Sequence, residues 1–353
     1  MGRSINPIGG EFWFEPSIFK KDRNNFEAVK AVFLAGGQSA IRFIFESLEI
    51  KKNECVLIPA YICPSILYPL EQLKISYRFY KIKDNLSLDH EDLIQQVETH
   101  AVKAILFINY FGFYHKEDTQ QLLKRFQQQG IKLIEDAVQM LWFQRQAFIG
   151  DYVFNSYRKF LPIDGSLVLC DTQKDFNPVI DDYDRLMNDG RMKKTAYIYF
   201  DIGTEEKYLD MFAKAEHAYY RRTQIVSMNN VSRNLLKQVD TDFIKQRRLE
   251  NYIYLYDRLA QNREVKILFN ISNIKENIPL GLPVFIKNRD DLRTKLRNHG
   301  IFCPVHWDIT KEQWAIDHPN TLHVSKHILT IPIDQRYCKE DMDRLLDTLF
   351  KLF

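Results

Sequence analysis

The feature that most constrains this chain is an alternation. Between residues 55 and 170, short apolar runs rich in Val, Ile and Leu take turns with longer amphipathic stretches. The run Cys55-Val56-Leu57-Ile58, ended by Pro59, has the length and composition of a buried strand. Helical spacing follows over roughly 64–73, and a second strand is predicted at Ile75–Tyr80. A helix at 91–99 precedes the apolar segment Lys103–Ile108. Residues 116–129 (KEDTQQLLKRFQQQ) form an amphipathic helix closed by Gly130, the residue type that most easily ends a helix in a left-handed conformation. Further strands are predicted at Ile131–Ile134, Tyr152–Asn155 and Leu167–Cys170. Strand and helix in this cadence predict an α/β domain with a mainly parallel sheet, whose chemistry gathers where strands end and loops begin.

The alternation stops at about 175. Residues 175–260 are long, charged and helical in pattern, and the last hundred residues carry short strands (Pro283–Ile286, Ile328–Ile331) and helices at about 289–298 and 339–352. The 353 residues suffice for roughly two domains at ~150 each. We therefore expect a large α/β domain over 20–240 and a smaller C-terminal α+β domain over 241–353. The 25 Phe and 18 Tyr are expected mostly in the core.

Charge and cysteine content narrow the function. Forty-nine Lys and Arg against 46 Asp and Glu give a net charge of +3, too little to draw the chain onto nucleic acid or a membrane. Neither partner is expected. Five scattered cysteines without a CxxC pair predict neither a zinc site nor a disulfide framework. The N-terminal residues lack the apolar run of a secretory signal, so the chain reads as cytoplasmic.

Four segments fall at expected strand ends or helix starts. Gly36-Gly37-Gln38-Ser39-Ala40 opens a helix in which Ile41, Ile44, Phe45 and Leu48 recur at helical spacing. Glycines admit close backbone approach, and unpaired N–H groups at a helix start suit a phosphate; an ordinary serine-capped turn has the same appearance. Ile134-Glu135-Asp136-Ala137-Val138-Gln139 ends an apolar strand, where a carboxylate can face a protonated ring nitrogen or merely cap the next helix. In Asn155-Ser156-Tyr157-Arg158-Lys159, a lysine beside a second cation and before the apolar run Phe160–Ile163 is a candidate amine nucleophile, its pKa lowered by burial and by Arg158. Pro59-Ala60-Tyr61-Ile62-Cys63-Pro64 could lay a flat or polarisable side chain over an aromatic ligand, or simply pack in the core.

Taken in order, these segments resemble the fold type I pyridoxal-phosphate enzymes, most nearly the DegT/StrS group of sugar aminotransferases. The C-terminal pattern, with Leu292, Leu296, Gly300-Ile301, His306-Trp307 and Ile328–Pro332, is also similar, so the resemblance spans roughly 30–350. It implies pyridoxal 5'-phosphate as cofactor, a Schiff base on Lys159, and Asp136 holding the pyridine nitrogen protonated. It places Gln139 near the phenolic oxygen, and Ser156 with the backbone of Gly37, Gln38 and Ser39 on the phosphate. Cys63 stands where an aromatic residue usually stacks on the ring, with Tyr61 as the alternative. His306 and Trp307 become candidate substrate contacts, and a homodimer is implied.

The expected activity is amino transfer from an amino acid to a keto sugar, one linked to a nucleotide. Other expectations are a different amino or keto substrate, or a catalytically silent binding protein of the same fold. A dehydratase using this cofactor fits less well, since that group replaces the lysine by histidine. Three departures accompany the resemblance. Ser156 and Lys159 are three residues apart rather than five, the later glycine pair is reduced to Gly165-Ser166, and residues 190–220 lack the Gly-x-Asn-x-Arg segment by which a partner subunit supplies an Asn to the phosphate.

Overall fold

Seven strands form the central sheet in the order Ala31–Leu34, Ser166–Leu169, Tyr152–Phe154, Lys132–Asp136, Val102–Ile108, Cys55–Pro59 and Tyr77–Tyr80. Neighbours are parallel except at Ser166–Leu169, which runs antiparallel to both of its neighbours. The structure is a computed structural model, and it describes residues 6–20, 30–142, 147–171, 176–177, 180–220, 222–274 and 278–353. Every residue of Cys55–Pro59 and Ser166–Leu169 is buried, as befits strands covered by helices on both faces.

The sheet includes one strand the periodicity had not suggested. The residues ahead of the glycine turn form Ala31–Leu34, an edge strand in which Val32 and Leu34 are buried and Ala31 and Phe33 partly exposed. Four residues are too few for the alternation to stand out beside a helix signal. The 64–73 helix begins as a 3₁₀ turn, Pro64–Ile66, before the α-helix Leu67–Gln72, because Pro64 suits the first turn of a helix.

Helices Asp182–Phe200 and Glu205–Tyr220 form a hairpin joined through Asp201 and Gly203, both at positive φ. Asp181 and Asp184 cap its start reciprocally, and Arg222 closes on Asp181 through two nitrogens, each at 2.7 Å. A Cβ on Gly190 would lie 2.7 Å from the Phe212 ring, so the hairpin's close approach depends on that glycine. Tyr183, Met187, Ala215 and Tyr219 pack between the two helices.

The C-terminal part holds a three-stranded antiparallel sheet, Ile328–Ile331, Leu282–Phe285 and Lys266–Ile267, backed by the helices Thr241–Leu259, Arg289–Asn298 and Lys339–Leu352. A single apolar cluster runs from Ile58 and Leu106 of the large sheet to Val284, Leu329 and Leu345 of the small one. At about 1.5–3 kcal/mol per buried large apolar side chain, this shared core couples the two parts strongly. The N-terminal segment is a strap across both. Ile8 and Gly9 pair in parallel with Ile301 and Phe302, Gly9 N–H donates to the Tyr337 hydroxyl (2.6 Å), and Lys194 donates to the Glu11 carbonyl (2.6 Å). The architecture is thus α/β with a mainly parallel sheet plus a smaller α+β part, as the alternation predicted. Among the described residues no helix is long and apolar enough to cross a membrane.

Candidate active site

The C-terminal ends of the parallel strands open into a cavity of about 430 Å³, walled on the far side by the loop Pro304–Trp307 of the smaller part. Strand alternation decides what the Glu135-Asp136 pair does. Adjacent residues face opposite sides of a sheet, and both carboxylates are buried. Glu135 turns away from the cavity and is spent on structure, accepting from Asn109 Nδ2 (2.7 Å) and from the amides of Ile149 (2.8 Å) and Gly150 (2.9 Å). Gly150 is required there, since a Cβ would sit 2.8 Å from the Glu135 Cβ and 2.7 Å from the Tyr152 carbonyl oxygen. Asp136 lines the cavity. Its Oδ1 accepts from the Val138 amide (2.9 Å), and no partner for Oδ2 lies among the described residues. Burial raises its pKa to about 7, with the Val138 amide and the Lys159 charge pulling the other way.

Gln139, in the turn three residues past Asp136, also lines the cavity. Its Oε1 accepts from the Phe111 amide (2.6 Å), which fixes the orientation of the side-chain amide. Nε2 is left as a donor without a protein acceptor among the described residues.

Lys159 ends the 3₁₀ turn Tyr157–Lys159 that follows strand Tyr152–Phe154. Its amine has no hydrogen-bond or ion-pair partner among the described residues, and burial, then the neighbouring Arg158 charge, lower its pKa. The turn is pinned from the smaller part: Gln335 Nε2 donates to the Phe160 carbonyl (2.6 Å), and Arg248, stacked on the Phe160 ring, donates to Gln335 Oε1 (2.9 Å). Ser156, three residues before the lysine, is 5% exposed, lines the cavity, and its hydroxyl has no partner among the described residues.

Gly37 and Gln38, at the first turn of helix Gly37–Ser47, line the same cavity. Ser39 does not: its hydroxyl accepts from the Val226 amide (3.2 Å). Of the two candidates in the Pro59–Pro64 loop, Cys63 faces the cavity, with its sulfur 3.0 Å from the Ser65 hydroxyl. Tyr61 lies behind it, fully buried, its hydroxyl donating to the His306 carbonyl and accepting from the Trp307 amide (2.6 Å). Tyr61 therefore holds the loop that presents His306 and Trp307 to the cavity. The His306 Nδ1 meets the Thr330 hydroxyl (2.9 Å), and burial, aided by the Lys159 charge, lowers its pKa to about 3.

Sequence reasoning missed Glu11, Glu216, Tyr219 and Tyr220, which complete the lining. Glu216 and Tyr220 are four apart on the hairpin helix Glu205–Tyr220, so they share a face. Nothing in their local pattern says that this face meets the sheet.

A mainly parallel sheet with one inserted antiparallel strand, a lysine turn and a strand-end carboxylate facing one cavity make up the architecture of an aminotransferase-type α/β fold. No family model and no curated protein sequence matches the chain. Solved structures do. DesV of S. venezuelae, in complex with a ketimine intermediate, is 16% identical over 97% of this chain and 91% of that one, at a TM-score of 0.64. The sugar aminotransferase Spr1654 from Streptococcus pneumoniae, in its PLP form, is 15% identical over 97% and 92%, also at 0.64. NtdA from Bacillus subtilis, with bound cofactor PMP, is 15% identical over 91% of this chain and 72% of that one, at 0.63. The chain has the fold of these structures.

The residues present suit the cofactor of that fold. A buried carboxylate with one free oxygen, an amide donor, a hydroxyl donor and a lone amine surround one cavity and lack partners within the described residues. Facing one cavity, such a set fits a ligand with a cationic ring nitrogen, oxygen acceptors and a carbonyl. Among the described residues no cluster of side chains could hold a metal ion.

Proposed function

We propose that the chain is a pyridoxal-phosphate-dependent aminotransferase that carries an amino group from an amino acid to a keto sugar, one linked to a nucleotide. The observation that carries this reading is the pairing of Lys159 and Asp136 across one cavity, each buried without the partner its charge requires. The shared fold with the sugar aminotransferase Spr1654 in its PLP form, and with DesV in complex with a ketimine intermediate, supports it. We further place the division between the two parts at 240/241, where Asp240 caps helix Thr241–Leu259. The proposal includes a cytoplasmic homodimer.

When bound, pyridoxal phosphate supplies an aldehyde that condenses with amines and a ring that withdraws electrons from the attached carbon. Asp136 Oδ2 would accept a hydrogen bond from the protonated ring nitrogen and keep the proton there. Gln139 Nε2 would donate to the ring oxygen, and Ser156 with the helix start at Gly37 and Gln38 would hold the phosphate. Lys159 Nζ would hold the group at its aldehyde, and the same amine would be the base positioned to move a proton. Its lowered pKa leaves more of it neutral near pH 7 than of a surface lysine. His306, held neutral by burial, leaves the positive charge of this wall to Lys159 and Arg158.

The test is reconstitution with pyridoxal phosphate followed by borohydride reduction and peptide mass mapping. The cofactor should be fixed on Lys159, Lys159→Ala should lose both the fixation and turnover with glutamate and nucleotide-linked keto sugars, and a wild-type protein that takes up no cofactor would overturn the reading.

A further inference from the structure

The start of helix Gly37–Ser47 has a neighbour that the sequence resemblance does not supply. The Gln38 amide donates to the hydroxyl of Tyr219 (3.2 Å), which comes from the hairpin helix Glu205–Tyr220. Tyr219 is 5% exposed and lines the cavity. Its oxygen is engaged as an acceptor, yet its own proton has no acceptor among the described residues. A buried hydroxyl in that state is a donor awaiting an acceptor. Ser156, nine-tenths buried and also unpartnered, stands at the same cavity.

The cation at this corner is fixed by the same helix. Arg158 lies 4.5 Å over the Tyr219 ring, pairs with Glu216 (2.7 Å) and donates to the Tyr183 hydroxyl (3.3 Å). Tyr219 and Glu216 are three residues apart and address Arg158 from one helix face. Two hydroxyl donors and the start of a helix therefore line one cavity with a guanidinium whose charge is shared with the Glu216 carboxylate, and the unspent donors suit the oxygens of a phosphate ester. The hairpin occupies the stretch in which the Gly-x-Asn-x-Arg segment of a partner subunit is missing.

We propose that this chain completes its own phosphate site, with Tyr219 donating to the phosphate oxygen through a hydroxyl polarised by the Gln38 amide, in place of a residue from a second subunit. The inference rests on the cofactor reading above and makes the hairpin Asp182–Tyr220 part of the binding site rather than an appendage.

The experiment compares wild type and Tyr219→Phe, which keeps the ring for Arg158. Each is titrated with pyridoxal phosphate and with pyridoxal, which lacks the phosphate, and each is heated with and without inorganic phosphate. Circular dichroism of the ligand-free proteins establishes that both are folded. Loss of a hydrogen bond to a charged group should weaken pyridoxal phosphate binding by about 10- to 100-fold. Pyridoxal binding should stay unchanged, and the stabilisation by inorganic phosphate should fall. An unchanged affinity for pyridoxal phosphate, or an equal loss for both compounds, overturns the proposal. Mixing Tyr219→Phe with Lys159→Ala separates the two sources of the tyrosine. Recovery of tight binding would mean that Tyr219 acts on a partner's cavity and would refute completion within one chain. If wild type binds neither pyridoxal compound yet phosphate still stabilises it through Tyr219, the anion site stands and the cofactor reading falls.

Discussion

Replacing Asp136 by Asn isolates the energetic cost of keeping a carboxylate ready for a cation. In the cofactor-free protein its pKa is raised by burial from 3.8 to about 7. The folded state therefore keeps a proton that the unfolded chain gives up on passing pH 3.8. A raised folded pKa contributes stability that is complete below the unfolded value and is lost as pH rises through about 7. At 1.36 kcal/mol per pKa unit the loss amounts to about 2 kcal/mol at pH 5 and about 4 kcal/mol at pH 8. Asn keeps an oxygen for the Val138 amide and carries no charge. Urea unfolding of the two cofactor-free proteins at pH 5 and pH 8 should show the variant gaining about 2–3 kcal/mol over wild type between those values. Titrating groups that do not interact with Asp136 cancel in that difference. Saturating pyridoxal phosphate should then reverse the order at pH 8, because only wild type offers the ring nitrogen a carboxylate. A stability gap equal at both pH values would refute the claim that Asp136 is held in waiting by burial.

Two further outcomes follow from the buried network around the site. Tyr61→Phe removes the hydroxyl that joins the His306 carbonyl to the Trp307 amide and should cost about 1–3 kcal/mol, read as a lowered urea midpoint; an unchanged midpoint would show that this link does not hold the loop. Arg191→Met strips the buried Asp164 carboxylate of its cation and should cost about 3–5 kcal/mol at pH 7. Against the burial that would raise it, Arg191 keeps the Asp164 pKa below 3.8, so this stability is present above that pH and disappears on acidification. A wild-type and variant pair that differ equally at pH 7 and pH 3 would contradict this account.

Much of the large sheet was legible because its strands are buried on both faces and stand out as apolar runs: the predicted Lys103–Ile108 starts one residue after the observed Val102–Ile108. In the smaller sheet the predicted Ile328–Ile331 matches the observed strand. The edge strand Ala31–Leu34 was not legible, since half its residues face outward and it pairs with residues 166–169, far away in sequence. At the site, position past a strand end together with the family resemblance pointed to Asp136, Gln139, Ser156 and Lys159, and all four line one cavity. Tyr61 against Cys63 was undecidable from sequence, because their sidedness depends on how the Pro59–Pro64 loop turns. Tyr219 and Arg248 were out of reach for a different reason. Their partners, Gln38 and Gln335, lie 181 and 87 residues away, and no local pattern encodes such a meeting.

The strap at Ile8–Gly9 bears on how the molecule is assembled. Its pairing partners lie about 290 residues further on, beyond the entire large sheet. Closing so long a loop is entropically steep for two residues' worth of pairing, so the strap is expected to settle only after both sheets exist. Glu11, carried on that strap, would then reach the cavity wall last, making a complete binding pocket a late product of folding rather than a precondition for it.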